Sequence, residues 1–139
     1  MPKIHFTLLV VCFGVAVCLF SGCGGNPRIT GHVMFDDGTA LTVGEVIFES
    51  ETVQARGPLD SSGRFVMGSA GAHDGVPTGQ YRVYISGALE PTGRVILIAG
   101  SPRPEMRPLI DAKHTQPEAS GLTCDVKGSM KFDITVSKP

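Results

Sequence analysis

The segment GQYRVYISG, residues 79 to 87, alternates strictly, with Tyr81, Val83 and Ile85 on one side of an extended chain and Arg82, Tyr84 and Ser86 on the other. A period of two in β-branched and aromatic residues is what a half-buried strand requires. The pattern recurs. RITGHVMF (28 to 35) sets Ile29, Gly31, Val33 and Phe35 on one face, and GEVIFES (44 to 50) turns Val46 and Phe48 inward with Glu45, Ile47 and Glu49 toward water. RFVMG (64 to 68), RVILIAG (94 to 100) and GLTCDV (121 to 126) read as further short strands, and MKFDITV (130 to 136) sends Phe132, Ile134 and Val136 to the core. Asp37-Gly38 supplies a tight turn, and residues 60 to 63 and 127 to 129 read as hairpin turns. SPRPEMRPLIDAKHTQPEAS (101 to 120) holds Pro102, Pro104, Pro108 and Pro117, follows neither period, and reads as a long surface excursion. With 18 Gly, 10 Pro, seven Phe and no Trp, the chain favours many turns around a small aromatic core. The expectation is an all-β sandwich of about seven strands over residues 28 to 139, with no separate catalytic module.

Ahead of it, residues 1 to 3 are minimally basic and residues 4 to 20 are almost uninterruptedly apolar, the layout of a secretory signal peptide. Ser21 and Gly22 supply the small side chains a signal peptidase needs, and Cys23 follows directly. LFSGC resembles the bacterial lipobox, with Phe20 where that pattern usually has Leu. The resemblance implies a signal peptide over 1 to 22, a diacylglycerol on the Cys23 thiol, and a lipidated tether over 23 to 27. Gly24 in place of Asp resembles the pattern sorted to the outer membrane of a Gram-negative cell. Two other readings of the same segment are a plain signal peptide cut nearby and an uncleaved helix, which would be short for a hydrocarbon core of about 30 Å. Cys12 and Cys18 would leave with the apolar run, so an exported domain keeps Cys124 without an internal partner. No basic neighbour or helix start is present to activate that thiol, which fits a small core hydrophobe better than a nucleophile.

Taken in order, GHVMFDDGTALTVGEVIFES, ARGPLDSSGRFVMG and DGVPTGQYRVYISG resemble the carboxypeptidase regulatory-like, transthyretin-like domain, in the version common among bacterial lipoproteins of planctomycete type. The likeness covers residues 29 to 136. It implies a Greek-key sandwich of the transthyretin (prealbumin) kind, a role without catalysis, and no cofactor. Its motifs have physical reasons. Asp60 can cap the DSSGRF turn while Gly63 takes the left-handed conformation and Phe65 enters the core. Pro77 and Gly79 aim Tyr81 inward, where its hydroxyl can bond to backbone.

Chemistry-bearing residues are few. Twelve Lys and Arg against 13 Asp and Glu, without a basic stripe, exclude a nucleic-acid partner. No H-E-x-x-H, paired Cys/His spacing or G-x-S-x-G is present, so no metal site is expected. His73 and Asp74, with Asp36, Asp37 or Asp60, could gather oxygen ligands for Ca²⁺, but without the dense spacing of a calcium loop they read as turn residues. Asp111, Lys113, His114 and Glu118 form a mixed set capable of acid and base work, in a segment that reads as a solvated loop. Three functional readings stand. One is a cell-envelope module tethered to the membrane by lipid, holding an envelope protein or a glycan through loops or a sheet edge. Another is a carbohydrate-binding module stacking sugar on Tyr84. The last is a small transthyretin-like hydrolase, whose family carries a YRGS-type C-terminus where this chain ends TVSKP.

Overall fold

A computed structural model describes residues 25–139. Cys23 and the apolar run before it lie outside the described residues. The architecture is all-β, two sheets facing each other across one core, with a ribbon projecting from one end. In one sheet β1 (Ile29–Phe35) is central, flanked by β4 (Arg64–Val66) and by the chain's last segment, β9 (Met130–Lys131) followed by β10 (Ile134–Val136). The other sheet has the order β3-β2-β5-β8, from β2 (Glu45–Glu49), β3 (Gln54–Pro58), β5 (Gly79–Ser86) and β8 (Leu122–Val126), all antiparallel. Counting β9 and β10 as one interrupted strand, the two sheets hold the seven strands expected. The chain changes sheet between β1 and β2, between β3 and β4, and between β4 and β5, as a Greek-key sandwich requires.

Alternation places the core as read from sequence. Ile29 and Val33 face Val46, Phe48, Val83 and Ile85, and Ile134 and Val136 close the edge. Phe132 is partly buried and meets the Phe48 ring edge-on at 5.7 Å between centroids. Tyr81 buries its ring and donates its hydroxyl to the Pro77 carbonyl at 2.8 Å. Burial pushes the phenol pKa up, so it stays a neutral donor. Tyr81→Phe keeps the ring and removes that bond, and should cost about 1 kcal/mol in urea unfolding. An unchanged midpoint would mean that water replaces the bond.

Three expectations are corrected and one is met. The turn at residues 60 to 63 exists, with Asp60 Oδ1 accepting from the Ser62 and Arg64 N–H groups and Gly63 at φ 78°, and Phe65 does enter the core. It closes a hairpin, with the Asp60 N–H bonding the Arg64 carbonyl and Arg56 and Gly68 exchanging backbone bonds, although between those points β3 and β4 part to pair within different sheets. Residues 127 to 129, expected as a hairpin turn, cross the sandwich instead, since β8 pairs with β5 while β9 and β10 pair with β1. Ile47, expected to face water, is 1% exposed. It stands opposite Arg56 on one side and Tyr84 on the other, under a polar roof in which Arg56 bonds Glu45 and Gln54, and Gln54 bonds the Tyr84 hydroxyl.

The proline-rich segment is the third. Residues 101 to 108 are not a loop: β6 (Leu89–Ile98) and β7 (Ser101–Pro108) form a two-stranded antiparallel ribbon. Ala99 and Gly100 both have positive φ, 49° and 80°, the geometry of a two-residue hairpin turn. The prolines are tolerated because they occupy positions whose backbone nitrogen points away from β6.

Candidate functional site

On the outer face of the first sheet, Thr30 and His32 from β1 stand in register with Val66 and Arg64 from β4. With Arg28, Asp60, His73 and Lys131 they line a shallow groove of about 560 Å³. The fold thus brings Asp60 and His73 together, as the sequence allowed, but in cationic company. Asp60 is engaged by its own turn, also accepting from the Ser62 hydroxyl, and these bonds hold its carboxyl below the usual carboxylate range. Asp74 is turned away into its loop, where it accepts from the backbone N–H groups of Ser69, Ala70 and Gly71, and its pKa is lowered for that reason. Asp37 is held by Thr39 and Lys138. Among the described residues, no three His, Cys, Asp or Glu side chains gather where an ion could be held. The groove's chemistry suits an anionic or neutral polar group.

His32 is the residue that sequence reading passed over. Its Nε2 accepts from Arg64 Nε at 3.0 Å, so the ring proton sits on Nδ1, which lies 3.7 Å from Asp133. The arrangement has the outline of a carboxylate-oriented base, but the nitrogen that would take a proton is occupied by a guanidinium. Only the cross-strand register of His32 with Arg64 reveals this, and a strand pattern does not encode its partner.

Tyr84 is half-buried, its hydroxyl accepting from Gln54, so one edge of the expected stacking surface is committed to the roof over Ile47. Cys124 is buried, and desolvation, with Asp125 beside it, pushes its thiol pKa up. It serves the core.

The set at Asp111, Lys113, His114 and Glu118 disperses. Asp111 caps a 3₁₀ turn, Ala112–Thr115, accepting from the Lys113 N–H, while Glu118 reaches Arg82. His114, expected in solvent, is 8% exposed, because the turn folds it against the C-terminal segment. Its Nε2 accepts from the Ser137 N–H at 3.0 Å, leaving Nδ1 as the protonated nitrogen, buried without a partner. Desolvation first, then Lys113, lowers its pKa below the ordinary 6.5. The unfolded chain therefore binds the proton more readily, and stability is full above about pH 6.5 and falls as pH drops below it. Chemical denaturation between pH 7 and 5 should show this loss, and His114→Gln should flatten it. An equal slope in the variant would assign the effect elsewhere, since the carboxylates of Asp60 and Asp74 act only below their ordinary range.

No family model matches the chain, and no curated protein matches it. A solved structure that does is that of a DUF3823 family protein from Bacteroides ovatus, at 14% identity and a TM-score of 0.46, covering 81% of this chain. This chain spans 45% of that protein's length.

Proposed function

We propose that the protein is a non-catalytic, lipid-tethered β-sandwich of the bacterial cell envelope, a module that holds an envelope protein or a glycan. The observation that carries the reading is Cys23 at the boundary between the apolar run and the polar domain. Gly25 and Asn26 are exposed and lead into β1 at the surface, so a short leash could join membrane and sandwich. Cys124 is buried in the core, which matches a domain held by packing alone. The likeness to carboxypeptidase regulatory-like lipoproteins supports the same reading. A hydrolase role draws no support from His32, whose basic nitrogen is taken by Arg64.

The ribbon root lies beside Phe35, at the end of β1 remote from the chain's start, where Pro27 accepts from Val76. A tethered molecule would thus direct its ribbon away from the leash. Intact mass and membrane fractionation in a lipoprotein-processing host test the tether. Wild type should gain acyl mass and pellet with membrane, and Cys23→Ala should do neither. Identical soluble behaviour of the two would overturn it.

A further inference from the structure

The ribbon leaves the sandwich with apolar side chains bare on both faces: Val95 is 69% exposed, Leu97 73% and Ile98 54%, with Leu89, Ile96 and Met106 partly so. Val95 and Leu97 share one face and Ile96 and Ile98 the other, so the tip of the ribbon is apolar on both sides. Its two edges differ. A two-residue hairpin loop makes the closing pair, Ile98 and Ser101, exchange hydrogen bonds. Parity then gives Ile96 and Arg103 to the ladder and points the backbone groups of Val95, Leu97, Pro102 and Pro104 outward. Met106 and Pro108 share that parity, so the Met106 N–H is the one donor left along the outward β7 edge and none lies in its distal half. On the β6 edge Pro91 has no donor either, but Val95 and Leu97 keep theirs, and no other described strand pairs with it.

We propose that β6 pairs antiparallel with β6 of a second copy of this chain. The result is one four-stranded sheet, β7-β6-β6-β7, ended on both sides by prolines and therefore closed at two copies. Outward residues must meet outward residues, so Val95 of one copy stands across from Leu97 of the other, with Ile96 opposite its counterpart. Across that seam the Val95 and Leu97 side chains of the two copies lie side by side on one face, where they are now 69% and 73% exposed. A lipid surface would cover the side chains but leave the Val95 and Leu97 N–H groups unpaired, which favours a strand as the occupant. The inference rests on the interaction-module reading, whose partner it names, and is independent of the tether.

The test is sedimentation equilibrium of the mature chain, residues 23 to 139, carrying Cys23→Ala, so that neither an acyl chain nor the apolar run gathers the copies. A monomer–dimer equilibrium is expected up to about 100 μM, with nothing larger. Leu97→Pro removes an outward donor that the ribbon's own ladder does not use, and should weaken the dimer about tenfold or more with an unchanged melting curve. Pro102→Ala with Pro104→Ala reopens the sealed edge and should give species beyond the dimer. A wild type that stays monomeric at about 100 μM, or a Leu97→Pro variant that dimerises as tightly as wild type, overturns the proposal. So does a monomer that co-sediments with phosphatidylglycerol vesicles, which would assign the ribbon to lipid.

Discussion

Replacing Gly31 by alanine should destabilise the protein by about 3 kcal/mol or more, lowering the melting temperature by roughly 10 °C. A methyl group there would collide with the Phe132 carbonyl oxygen, lie 2.7 Å from its carbon, and come within 2.8 Å of the Phe65 ring. Two of those atoms are backbone and cannot swing aside. They sit there because the last strand breaks between β9 and β10: the Phe132 N–H bonds the Thr30 carbonyl, and Asp133 reaches across so that its carboxylate, not a carbonyl, accepts from the His32 N–H at 3.0 Å. Gly128→Ala is the control, since nothing lies within 4 Å of its added carbon. Thermal unfolding of the two variants checks this. Equal melting temperatures would mean that the break in the edge strand yields to the methyl.

Phe48→Ala should cost about 3–5 kcal/mol, by lost transfer energy and by the cavity left behind. The ring is fully buried on β2 and touches Phe132 from the facing sheet and Tyr81, 5.9 Å away, from its own. It joins the two layers, and neither neighbour can move into the gap without losing its own contacts. Val95→Ala, on the ribbon, should stay within about 0.5 kcal/mol at low protein concentration, because its side chain leaves little packing to lose. Urea midpoints of both, measured side by side, decide it. Comparable losses would mean that the ribbon folds back onto the sandwich.

Strands were legible where one face is buried and the other wet. β1, β5 and β10 follow their alternation, because a sandwich rewards that pattern directly. The hairpin at Asp60 was legible from its turn chemistry, but strand partners were not: residues 127 to 129 have turn residues too, and local turn chemistry does not state which sheet the next strand joins. Ile47 was misplaced because its cover comes from side chains on neighbouring strands. β7 was hidden by its prolines, which argue against a central strand but fit an edge whose nitrogens face outward. At the groove, Asp60 and His73 could be named from turn signals, whereas Arg28, His32, Arg64 and Lys131 meet there only through register and burial.

The parallel pairing of β1 with β9 and β10 bears on the order in which this chain can fold. Val33 lies beside Ile134 and Phe35 beside Val136, about a hundred residues apart in the chain. A ribosome delivers the first of these strands long before the last, and until Val136 emerges the Val33–Phe35 end of β1 lacks its parallel partner. Such long-range closure is slow and comes late. The nascent polypeptide therefore remains incompletely structured until residues 130 to 136 have been made, and the sandwich closes only with their arrival.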